Sequence, residues 1–122
     1  MKKYHIHIYF EPTLLESAKQ LKTEAVQSGL FEIVKLYENP IGPHPTGMIE
    51  IHFQELDYKN SYSWVEAHRR DFSVLIHEDT GDDFKDHTEG SVWLGKKKTL
   101  NFDFFKEIQS RPELRIHNLK VV

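Results

Sequence analysis

Eight of the 122 residues are histidine, and it is their spacing that suggests chemistry. His5 and His7 lie two apart in Tyr4-His5-Ile6-His7-Ile8-Tyr9-Phe10, and on a strand such residues share a face. His44 stands between prolines in Gly42-Pro43-His44-Pro45, and His77 and His87 bracket an acidic, turn-rich stretch. Imidazole suits iron, zinc, copper and nickel, and a metal with few protein ligands keeps positions open for substrate. Taken singly, His52, His68 and His117 read as polar residues of solvated surfaces. The joint set His5, His7, His77 and His87 reads as a site, because it sits among Gly/Pro loops of the kind that carry binding residues on a rigid scaffold.

Other chemistries lack their residues. There is no cysteine, which removes thiol catalysis and thiolate metal sites and suits a reducing, cytoplasmic setting. His-Glu-x-x-His and phosphate-cradling glycine loops are missing from the sequence, and Ser17, Ser61 and Ser73 have no nucleophile-elbow context. Asp79-Thr80-Gly81-Asp82-Asp83 has the composition of a calcium loop without its spacing, so it reads as a solvated acidic turn, as Lys96-Lys97-Lys98 reads as a solvated basic one. With 16 basic and 19 acidic residues and a net charge of -3, the surface is not that of a nucleic-acid binder. No apolar run reaches the roughly 18 residues of a membrane span.

The elements that must hold these histidines follow from periodicity. Tyr4 to Phe10 alternates as a strand, with Ile6, Ile8 and Phe10 on one face and His5, His7 and Tyr9 on the other. Pro12 to Ser28 has helical spacing at Leu14, Leu15, Ala18, Leu21, Ala25 and Val26, and ends at Gly29. Strands are expected over Phe31 to Tyr37 and Met48 to Gln54, a helix over Tyr58 to Arg70 carrying Tyr62, Val65 and either Trp64 or Ala67, and a strand over Phe72 to His77. The order βαββαβ predicts an α+β, ferredoxin-like antiparallel sheet with its helices on one face, in a single domain spanning 1–122. In that topology the first strand lies between the third and fourth, so Glu50, His52 and His77 join His5 and His7 on the helix-free face. A fifth strand (Ser91 to Gly95), a helix (Leu100 to Ser110) and a last strand (Leu114 to Val122) form a C-terminal extension. The bare face must be covered by that extension or by a second copy, and a homodimer is expected.

His5-Ile6-His7-Ile8-Tyr9-Phe10, Gly42-Pro43-His44-Pro45, Leu75-Ile76-His77, Thr80-Gly81-Asp82, Asp86-His87-Thr88 and Trp93-Leu94-Gly95, in that order, resemble the DOPA 4,5-dioxygenase family. The resemblance runs from Tyr4 to Gly95 and departs from the family at Glu78, where proline is usual, and at Glu11, where aspartate is usual. It implies an extradiol dioxygenase that opens a catechol ring, DOPA-like, with non-haem Fe(II) and O₂. It further implies His7, His77 and His87 as iron ligands, with His5 and His44 as acid/base or supporting residues. Glu50 and His52 lie outside the resemblance, and by geometry alone Glu50 is an alternative carboxylate ligand. Two other readings use the same scaffold: a zinc or nickel lyase or hydrolase, and a non-catalytic module binding a ligand or partner on the open sheet face.

Overall fold

The computed structural model describes residues 1–105. Its elements are β1 (Lys3–Phe10), α1 (Leu15–Ser28), β2 (Ile33–Tyr37), β3 (Gly47–Gln54), α2 (Tyr58–His68), β4 (Ser73–Glu78), the short α3 (Asp83–Asp86) and β5 (Ser91–Leu94). All neighbours in the sheet are antiparallel, in the order β2-β3-β1-β4-β5. The expected α+β architecture is therefore present, with β1 central and with β5 added at the β4 edge.

Strand alternation sorts the side chains into two layers. Ile6, Ile8 and Phe10 join Ile49, Ile51 and Phe53 of β3 and Val74 and Ile76 of β4 in one core, closed by Ala18, Leu21 and Ala25 of α1 and Val65 of α2. The boundaries differ from the sequence reading in small, explicable ways. Pro12–Leu14 forms a 3-10 turn before α1, so Leu14 and Val26 fall off the buried stripe and lie exposed. Phe31 precedes β2, yet it still packs against the core, edge-on to Trp64. Trp64, not Ala67, supplies the packing of α2. That helix stops at His68, two residues before Arg70 takes a positive φ of 57°, which a helix cannot continue through.

The second face of the sheet is closed as well. Tyr9, Met48 and Leu75 pack there with Tyr37 and Leu100, flanked by Ile41 and Trp93. The homodimer was expected because this face would otherwise lie bare. His7, Met48, Glu50 and Leu75 are 0% exposed and Tyr9 1%, so segments of the same chain already cover it. The expected helix over Leu100 to Ser110 falls partly, and the expected strand over Leu114 to Val122 and His117 wholly, outside the described residues. Among the described residues, no helix is long and apolar enough to cross a membrane.

Candidate metal centre

Register sets the floor of the site. His5 lies opposite both His52 and His77, and His7 lies opposite Glu50 and Leu75, so the face inferred from alternation is the observed one. Two loops complete it from above. In the first, the His44 N–H donates to the Ile41 carbonyl at 3.1 Å, and the Pro43 carbonyl accepts from Asn101 N–H at 2.7 Å. Gly42 has φ 59°, a value that glycine alone adopts without strain. Gly47 then lets the chain re-enter the sheet: a Cβ there would lie 2.6 Å from the Glu38 carbonyl oxygen and 2.9 Å from that of Tyr37.

The second loop carries His87. Asp82 caps α3 by accepting the Lys85 N–H at 3.1 Å. Asp86 is 2% exposed and accepts both the N–H and the hydroxyl of Thr80, at 2.8 and 2.6 Å. Thr80, Gly81 and Asp82 are exposed, in keeping with the solvated turn read over Asp79 to Asp83, and the buried Asp86 just beyond it clamps that turn. It brings the His87 ring to 4.2 Å from that of His77, while the His44 ring stands 4.2 Å from that of His7.

Hydrogen bonds fix which nitrogen each ring offers. His77 Nδ1–H donates to the Glu78 carbonyl at 2.9 Å, and His87 Nδ1–H to the Asp83 carbonyl at 2.7 Å. A carbonyl only accepts, so both Nε2 atoms carry lone pairs in the neutral rings. His7 Nε2 lies 3.0 Å from His77 Nε2. On its other side, His7 Nδ1 meets Met48 Sδ at 3.2 Å and Glu50 Oε1 at 3.8 Å. His44 Nδ1 pairs with the Tyr9 hydroxyl at 2.7 Å. The Nε2 atoms of His44 and His87 are buried without a hydrogen-bond partner among the described residues.

Burial, followed by neighbouring imidazoles, holds His7 and His44 well below the usual histidine range and brings His77 down to about 3. His87 is also lowered by burial, against the opposing pull of the Asp83 carbonyl and nearby carboxylates. All four rings are therefore neutral at physiological pH and present lone pairs.

This donor set fits a cation. The His7 and His77 Nε2 atoms, 3.0 Å apart, are close enough for both to reach one ion at ordinary metal–imidazole bond lengths. Without an ion, His77 Nε2 can only accept, so His7 Nε2 must hold the hydrogen and His7 Nδ1 turns a lone pair onto sulfur and carboxylate. An ion taking both Nε2 lone pairs restores Nδ1–H as a donor toward Met48 and Glu50. Three groups have ligand atoms within 4.8 Å of one another: His5, His7 and His77; His7, His44 and His87; and His5, Glu50 and His52. The set His7, His77 and His87 is divided between the first two, which meet at His7.

All five site histidines named from sequence are thus buried and close together, and His52, read singly as surface filler, proves to be paired with Glu50 at 3.0 Å. His68 does fit the plain structural reading, stacking on Trp64 and bonding its carbonyl at 2.7 Å. Tyr9, Met48 and Asp86 carry roles the sequence reading did not assign. Alternation from His5 and His7 already put Tyr9 on the site face, whereas nothing local marked Asp86 as buried. Beside His87, among the described residues, a cleft of about 620 Å³ is lined by Thr88, Trp93, Lys97, Thr99 and Leu100, within the size range of small-molecule sites.

A sequence model of the Dopa 4,5-dioxygenase family matches residues 4–104, all of the ring cluster included. The chain belongs to this family. Its DOPA 4,5-dioxygenase relative from Amanita muscaria is 30% identical over 110 residues, covering 83% of this chain and 48% of that protein. An uncharacterised 21.2 kDa protein of Botryotinia fuckeliana is 28% identical, over 88% of this chain and 66% of its own. The chain therefore spans about half to two thirds of the length of these two curated relatives. A crystal structure from Nostoc punctiforme, described as a candidate dioxygenase, superposes with a TM-score of 0.73 at 28% identity, covering 88% of this chain and 94% of that one.

Proposed function

We propose that this chain is a cytoplasmic extradiol dioxygenase that opens the ring of a DOPA-like catechol, using non-haem Fe(II) and O₂. The observation that carries the reading is the pair of neutral Nε2 atoms of His7 and His77 at 3.0 Å, with the His87 ring 4.2 Å from that of His77 and its Nε2 without a hydrogen bond among the described residues, in a chain of this family. His7, His77 and His87 would hold the iron. When bound, Fe(II) supplies open positions for a chelating catechol and for O₂, together with the electrons that spin-forbidden O₂ chemistry needs.

The remaining work falls to the chain. The cleft at His87, lined in part by Trp93 and Leu100, would receive the catechol ring, and burial of the histidines keeps bulk water from the reacting centre. Of the two acid/base residues implied by the resemblance, His44 fits better. Its Nδ1 is held by Tyr9, its Nε2 makes no hydrogen bond among the described residues, and with Nδ1–H donating to the Tyr9 oxygen that Nε2 can take a catechol proton and return it. His5 faces Asp79 at 3.6 Å and stacks on His52 instead. The proposed assembly is a homodimer, supported by Phe84 and Phe102, which stand 49% and 46% exposed near the cleft.

Anaerobic reconstitution with Fe(II), followed by O₂ uptake and product absorbance across a small catechol panel, tests the reading. Catechol-dependent O₂ uptake with a ring-opened semialdehyde is expected. Iron-loaded protein that consumes no O₂ with any catechol overturns it.

A further inference from the structure

We propose that the same sheet face carries a second metal position, made by His5, Glu50 and His52, that takes a divalent transition ion of the zinc or cobalt type. The three residues come from adjacent positions of β1 and β3, with His5 directly opposite His52, so the sheet itself fixes their spacing. Their ligand atoms lie within 4.8 Å of one another. Two imidazoles and a carboxylate form a donor set for such ions that leaves positions open.

Glu50 supplies the second observation. It is 0% exposed; Oε2 lies 3.0 Å from His52 Nε2, while Oε1 is buried with no hydrogen-bond partner among the described residues. Oε1 has His7 Nδ1 as its neighbour at 3.8 Å, so Oε2, already 3.0 Å from His52 Nε2, is the oxygen that an ion held with His5 and His52 would take. The His5 ring stacks on that of His52, with centroids 3.9 Å apart, against 5.2 Å to His77 and 6.1 Å to His7.

Access is separate from the cleft at His87. A small pocket of about 140 Å³ is lined by His5 and His52 together with Glu32, Asp79 and Lys3, two carboxylates against one ammonium, a balance that favours a cation. The face would then hold two ions, one among His7, His77 and His87 and one here, with His5 acting as a ligand in this second position.

The inference rests on the proposed function only for the identity of the first equivalent. Metal-free full chain is titrated with Co²⁺, followed by its visible absorption, and with Zn²⁺, followed by elemental analysis after desalting. Wild type is expected to take up two equivalents per chain, His52→Ala one, and His77→Ala one with the absorption of the other site. Fewer than two equivalents in wild type, or two retained by His52→Ala, overturns the second site. Two equivalents without catechol-dependent O₂ uptake in the iron-loaded protein would instead sink the dioxygenase reading and leave this site standing.

Discussion

The Nδ1 hydrogens of His77 and His87 are committed to main-chain carbonyls, and that commitment makes each ring a one-nitrogen donor of fixed direction. Replacing His77 by alanine therefore removes a proposed ligand atom of fixed direction, and the reconstituted variant should lose one metal equivalent together with O₂ uptake. Elemental analysis of His7→Ala and His77→Ala beside wild type checks this, and unchanged metal in both variants sinks the ligand set. His44 is expected to behave differently, since its loop is pinned at Pro43 by Asn101 and its ring by Tyr9. His44→Ala should keep most of its iron and lose turnover by the roughly 10² to 10⁴ of a missing acid/base group. Activity within a few-fold of wild type would return His44 to a structural role. Loss of iron along with activity would make it a ligand, in the group it forms with His7 and His87.

At the scale of elements, the loop from β4 to β5 is held by one buried carboxylate. Asp86 accepts two hydrogen bonds from Thr80, and bonds to charged groups contribute about 1.5–3 kcal/mol each, less whatever burying the charge costs. Asp86→Ala should lower stability by about 2–3 kcal/mol in urea unfolding and weaken metal binding, because His87 loses its support. A shift below about 0.5 kcal/mol would mean the clamp is decorative. This clamp also marks where the sequence was readable and where it was not. The strand alternation around His5 and His7 and the βαββαβ order placed the floor of the site, since register is a local pattern repeated along each strand. The lid was harder, because the folding of Asp79 to Glu89 depends on a bond between Thr80 and Asp86, six residues apart, which composition alone describes only as acidic. His52 was undervalued for the same kind of reason: its partner Glu50 is next to it only once strand geometry puts both on one face.

For the whole molecule, four buried histidines make stability depend on pH in one direction. Each is lowered in the fold relative to about 6.5 when unfolded. Between the folded and unfolded values the unfolded chain binds more protons, so stability is full above about pH 6.5 and falls as pH drops, for His77 down to its folded value of about 3. Each site contributes up to about 1.4 kcal/mol per pH unit. Urea midpoints of the metal-free protein should therefore fall steadily from pH 7 to 4, and a flat profile would contradict the buried neutral rings. Sedimentation at micromolar concentration tests assembly: a dimer is expected, and a species of 14.4 kDa would show that the self-covered sheet suffices alone. The joined rings span the chain, His7 to His77 being separated by 70 residues and Tyr9 to His44 by 35. An ion bound among them cannot be released by fraying any single segment. Its binding energy, RT ln(1 + [L]/Kd), is added to the free energy of global opening, so metal should slow amide hydrogen exchange most in the slowest-exchanging amides of β1, β3 and β4 and leave the exposed ends of the helices almost untouched.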